Sequence, residues 1–151
     1  MWKRTNCLYA HELTHALIRK EFSDVPAWMN EGLATMIGHS RVVNSHLLYA
    51  GNSSLSRVSA TLHKGELLSL SDLFRLTGTE YASRRNSLRY YDASEQFCRF
   101  LHSRNQLRLL YHSFRDNPGK RQTNEEIMRR ITGFDPDNLE KAWHVWLLRQ
   151  E

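Results

Sequence analysis

Apolar side chains recur along most of this chain at intervals of three and four, the period of a helix with one buried face. In the first segment Leu8, His11, His15 and Ile18 share such a face. The pattern places a helix there from Thr5 or Asn6, either of which can cap it, to about Phe22. Pro26 closes the connection that follows. A second helix is expected from about Ala27 to Ile37, stopped by Gly38. The pattern weakens from His39 to Gly65. Arg41 to Leu48 and Arg57 to Leu62 read either as extended segments or as short helices, and Gly51-Asn52-Ser53-Ser54 reads as loop. Ser71 is expected to cap a short helix through Leu76 that stops at Gly78, and the polar stretch Gly78 to Asn86 reads as loop. A long helix is expected over Leu88 to Ser103, with Tyr91, Ser94, Phe97, Cys98 and Leu101 along one side. Another should run from Gln106 to Phe114, before the break at Asn117-Pro118-Gly119. Thr123 with Glu126 forms a capping box for a helix ending at Gly133. Asp135-Pro136 opens the last helix, whose apolar face carries Leu139, Trp143, Trp146 and Leu147. The expected fold is mainly α, with little or no sheet.

A length of 151 residues suits a single domain. The hydrophobic share of 40% and charged share of 25% are those of an ordinary globular chain. No apolar run approaches the length of a membrane span. The opening Met1-Trp2-Lys3-Arg4 lacks the apolar stretch of a signal peptide, which predicts a cytoplasmic protein if the chain is complete and allows export if it is a piece of a longer precursor. The net charge of +5 is scattered in pairs, Arg84-Arg85, Lys120-Arg121 and Arg129-Arg130. Such pairs read as solvated faces, so no nucleic-acid partner is expected; a basic binding module would betray itself by a steep loss of affinity with salt. The two cysteines, Cys7 and Cys98, have no metal-motif spacing and lie in helical stretches. They are expected as free thiols, pairing only in an exported protein.

The chemistry concentrates in His11-Glu12-Leu13-Thr14-His15. Residues four apart on a helix lie one above the other, so both imidazoles reach one metal ion from the same side. Glu12, turned about 100° from His11, flanks that ion and takes a proton from water held by it. A catalytic zinc site needs a third protein ligand and leaves its fourth position for water. Glu31 supplies that ligand: fifteen residues separate it from His15, enough for a turn at Pro26 and a second helix packed antiparallel to the first. Two imidazoles and a carboxylate suit several divalent metals, with one Zn2+ per chain preferred. The other histidines (His39, His46, His63, His102, His112 and His144) show no ligand spacing and are expected on the surface or in the core. His39 follows the ligand helix but lies two turns from Glu31. Trp143 and Trp146 are expected to be core anchors.

Tyr9-Ala10-His11-Glu12-Leu13-Thr14-His15, paired with Pro26-Ala27-Trp28-Met29-Asn30-Glu31-Gly32-Leu33-Ala34, resembles the gluzincins of the peptidase MA superfamily, to which thermolysin-like proteases and zinc aminopeptidases belong. The resemblance implies zinc on His11, His15 and Glu31, with Glu12 polarising water. Tyr91-Asp92-Ala93-Ser94-Glu95-Gln96-Phe97 is similar to the downstream helix of bacterial peptidase MA-like domains. By that likeness Tyr91, or alternatively Tyr90, stabilises the oxyanion. Ile131-Thr132-Gly133-Phe134 and the stretch Leu139 to Leu148 are similar to those domains too, although only the first forty residues are specific. Two departures stand out. Thermolysin-like members carry, one turn after the ligand glutamate, an aspartate that orients a histidine; this chain has Thr35 there. They also place a sheet before the motif helix, whereas ten residues precede His11 here. The resemblance therefore implies a single zincin-like helical domain over residues 1–151, without that upstream sheet. Its expected activity is zinc-dependent hydrolysis of a peptide or protein substrate. The alternative is a catalytically incomplete zinc-binding domain that serves as an interaction module.

Overall fold

A computed structural model describes residues 4–49, 53–83, 87–117 and 121–150. Among these residues the chain forms helices and one two-stranded antiparallel sheet, as the apolar periodicity predicts. Helix α1 (Arg4–Glu21) and helix α2 (Ala27–Gly38) come first. Thr5 and Asn6, expected as caps, lie inside the first turn of α1. Asn30 in the first half of α2 meets His15, and Gly38 at its end lies against the Cys7 carbonyl, one turn before His11. The two helices are therefore antiparallel. Ile18 is buried, but Leu8, expected on the same face, is 61% exposed. Leu8 sits about 60° round the helix from His11, beyond the strip that α2 covers. Tyr9, Leu13 and Leu17, on the back of α1, are exposed as well.

The ambiguous stretch after α2 resolves into both kinds of structure. Strands β1 (Ser40–Val43) and β2 (His46–Tyr49) pair in register from Ser40↔Tyr49 to Val43↔His46. Their connection, Asn44-Ser45, has φ of 49° and 62°, the pair of positive values that a type I′ hairpin turn requires. Residues 50–52 of the expected loop lie outside the described residues. Helix α3 (Ser53–His63) then takes in the whole of Arg57 to Leu62.

Helix α4 (Leu70–Arg75) is capped by Ser69, whose hydroxyl accepts from the Asp72 amide at 3.1 Å, rather than by Ser71. The stretch expected as loop from Gly78 holds a short helix, α5 (Gly78–Ala82). Its entry is a capping box in which Glu80 reaches back to the Thr77 amide at 2.7 Å, a signal present in the sequence as Thr77 and Glu80. Helix α6 (Ser87–Ser103) is the centre of the molecule. The spacing gives it one apolar side, yet it is buried all round from Asp92 to Cys98, because α2, α3, α5, α7 and α9 surround it.

Helices α7 (Leu107–Arg115), α8 (Asn124–Thr132) and α9 (Pro136–Leu148) complete the core. The Thr123–Glu126 capping box forms, and Gly133 ends α8 with φ 75°, a left-handed value that glycine adopts without a Cβ penalty. Asp135 caps α9 by accepting from the Asn138 amide at 2.9 Å. Of the break at Asn117-Pro118-Gly119, only Asn117 is among the described residues. Trp143, Leu139 and Leu147 bury their side chains under α6, with the Trp143 ring edge-on to Phe97 at 5.5 Å. Each such burial contributes about 1.5–3 kcal/mol. No helix among the described residues is long and apolar enough to cross a membrane.

Candidate metal centre

The antiparallel packing of α1 on α2 brings His11, His15 and Glu31 together. Nε2 of His15 lies 3.0 Å from Nε2 of His11 and 3.3 Å from Oε2 of Glu31, and the remaining side of the triangle, His11 to Glu31, is 3.7 Å. All three side chains are partly shielded, at 19%, 12% and 14% exposure for His11, His15 and Glu31. A ligand set of this kind can hold a metal ion.

The neighbours of the triangle decide where its protons sit. Nδ1 of His15 lies 3.0 Å from Oδ1 of Asn30 and must donate to it. In the neutral ring, Nε2 then carries a lone pair. The His11 ring is hydrogen-bonded by the Ala34 carbonyl, which leaves its Nε2 facing inward in the same way. Burial, and then the neighbouring His15, lower the His11 pKa and favour its neutral form. Oε2 of Glu31 is buried and finds no hydrogen-bond partner among the described residues. Burial pushes the Glu31 pKa up; His15 pulls it back and the Glu12 charge raises it again. Three potential ligand atoms thus converge, joined by the 3.0 Å His15–His11 hydrogen bond and the 3.3 Å His15–Glu31 contact; a cation between them would take up the same lone pairs.

Asn30 does the work for which Thr35 is unsuited. Thr35 stays buried, its hydroxyl without a partner among the described residues. Glu12 is exposed at the rim, and its charge acts on His11, Glu31 and Tyr91. The Tyr91 ring stands edge-on to His11, 6.1 Å between centroids. Burial, and then the charges of Glu31 and Glu12, raise its pKa, so the phenol keeps its proton. Tyr81 meets both rings, Tyr91 at 5.3 Å and Tyr90 at 6.0 Å. Compared with protein-family models, curated proteins and solved structures, the chain finds no match.

Three residues near the centre escape the spacing argument. Asn30 precedes Glu31, and its role follows only once α2 is placed antiparallel to α1. His39 and Glu95 are 56 positions apart, yet His39 Nδ1 lies 3.1 Å from both Glu95 oxygens. No local pattern joins them. Glu95 stands off the apolar side that the spacing gives to α6, so the sequence carries no signal for the pair.

Proposed function

We propose that this domain is a zinc-dependent peptidase. The observation that carries the reading is the convergence of Nε2 of His11, Nε2 of His15 and Oε2 of Glu31, none more than 3.7 Å from another. A tetrahedral ion about 2.0–2.2 Å from each ligand atom separates those atoms by about 3.3–3.6 Å. The observed 3.0, 3.3 and 3.7 Å straddle that spacing, so the residues fit zinc. Bound there, zinc would polarise the scissile carbonyl and acidify water.

The remaining steps belong to the chain. His11, His15 and Glu31 bind the ion, and Asn30 fixes the His15 tautomer so that Nε2 is the ligand atom. The Glu12 carboxylate takes the proton of the attacking water and passes it to the leaving amine. The Tyr91 hydroxyl, kept protonated, donates to the oxyanion as it forms. The alternative of an interaction module is favoured by one observation, the exposed apolar residues Leu8, Tyr9, Leu13 and Leu17 on α1.

Elemental analysis of the purified chain and of His15→Ala, followed by peptide-cleavage assays with Glu12→Gln, tests the reading. About one zinc per chain, lost in His15→Ala, with hydrolysis abolished in Glu12→Gln, is the expected result. Hydrolysis that persists in Glu12→Gln would overturn the assignment of the base. Zinc binding without turnover selects the interaction module.

A further inference from the structure

Beside the candidate centre lies a second constellation that neither metal binding nor water activation uses. Glu95 on α6 is fully buried and takes four donors. The Ser54 hydroxyl donates at 2.7 Å, the Arg99 guanidinium through Nε at 2.9 Å and a terminal nitrogen at 2.7 Å, and His39 Nδ1 at 3.1 Å. Arg99 and Ser54 alone satisfy the buried charge with three charge-assisted hydrogen bonds. The fourth donor does something more. His39 keeps 35% of its side chain exposed, and with Nδ1 fixed on Glu95 its other nitrogen is left for solvent or a ligand.

The place of this ring is set from two sides. His39 follows Gly38, which packs so closely on α1 that a Cβ there would lie 3.4 Å from the His11 Cβ. Glu95 stands one turn along α6 from Tyr91, whose ring faces His11. His39 therefore sits on the Tyr91 flank of the centre, close enough for its charge to act on His11. The hydrogen bond to Glu95 also holds the His39 pKa above its ordinary value, against burial.

We propose that His39, oriented by Glu95, is a specificity residue that recognises a substrate carboxylate within a residue or two of the scissile bond. Each extended residue spans about 3.3–3.6 Å, and His39 directly follows Gly38, where a Cβ would lie 3.4 Å from the His11 Cβ. A doubly protonated imidazole presents one outward N–H to an anion, a charge-assisted bond. The carboxylate comes either from the free C-terminus of the peptide or from an acidic side chain; the chemistry at His39 is the same. Glu95 is a positioning residue. This inference rests on the peptidase reading.

Binding without turnover separates the two ideas. Zinc-loaded Glu12→Gln protein is titrated calorimetrically with three probes: acetyl-tetra-alanine with a free carboxylate, its C-terminal amide, and the amide with one alanine replaced by glutamate. One of the two carboxylate-bearing probes is expected to bind at least about tenfold more tightly than the amide, the size of one charge-assisted hydrogen bond. Which of them does so identifies the source. Adding His39→Gln abolishes the preference and leaves the affinity for the amide unchanged; Glu95→Gln reduces the preference in the same way, which a purely structural role would not do. If these variants fail to fold, the His39 ring signals of the Glu12→Gln parent still report, moving with the preferred probe and not with the amide. Equal binding of all three probes, or a preference that survives in His39→Gln, overturns the inference while zinc content and wild-type cleavage of the amide leave the peptidase reading intact. Loss of zinc binding itself would instead strike at that reading.

Discussion

Nδ1 of His15 and Oδ1 of Asn30 stand 3.0 Å apart across the contact between α1 and α2. The contact would leave Nε2 of that imidazole as the ligand atom of the proposed centre. Asn30→Ala is expected to weaken zinc binding about 10–100-fold, the usual effect of removing a partner behind a metal-binding histidine. Asn30→Asp keeps the acceptor and should retain most of the affinity. Competition against a chromogenic chelator measures both, and an Asn30→Ala protein with unchanged affinity would remove Asn30 from the centre.

Gly32 lets α2 lie directly on α6. A Cβ at this position would come within 2.6 Å of both the Cys98 Sγ and the Ser94 carbonyl oxygen. One of those neighbours is backbone and cannot swing aside, so Gly32→Ala is expected to cost about 1–3 kcal/mol by overpacking. Adding Cys98→Ala should restore only part of the loss, because the Ser94 carbonyl remains. Denaturant titration of the single and double variants gives both numbers.

The same contact marks where sequence reasoning stops. His11, His15 and Glu31 are legible because helix geometry translates their spacing directly into a shared site. The capping boxes at Thr123 and Thr77 are equally local, although the polar residues around the second hide so short a helix. The burial of Ser94, Glu95 and Gln96 is a different matter. Ser94 lies on the side that the spacing assigns to the core, but Glu95 and Gln96 fall off it, and only the crowding of several helices around α6 puts them inside. The pairing of His39 with Glu95 depends on that crowding. The Tyr91 ring beside His11 depends on it too, whereas the sequence leaves Tyr91 and Tyr90 as alternatives.

The His39–Glu95 pair should make stability depend on pH in two directions. Burial pushes the Glu95 pKa up, but His39, Ser54 and Arg99 outweigh it and hold the carboxyl below its ordinary 4.5. Its contribution is therefore present above that value and lost as pH falls through the lowered pKa. The His39 pKa is raised above 6.5, mainly by Glu95 and slightly by Asp92, against burial and Arg99. Its contribution is full below 6.5 and is lost as pH rises through the raised value. The difference in denaturation midpoint between wild type and His39→Gln should thus be greatest between 4.5 and 6.5 and shrink on either side. A difference that is flat with pH would mean that the pair carries no charge linkage.

Cys7 and Cys98 are both free thiols, one partly exposed and the other wholly buried. Burial pushes the Cys98 thiol far up, which suppresses the reactive thiolate. Ellman's reagent should therefore titrate one thiol per chain, Cys7, in the native protein, and the second only after unfolding. Two thiols reacting at the same rate in the native state would show that α6 is not closed around Cys98.

All three proposed metal ligands lie between His11 and Glu31, in two consecutive helices. The partners offered for chemistry and recognition, Tyr91 and Glu95, arrive from a helix more than fifty residues later. Closing the first loop costs little entropy, and closing the second costs somewhat more. An ion held by the proposed ligands would therefore pin α1 to α2 only, while the approach of Tyr91 and Glu95 would depend on the packing of α6 in the core.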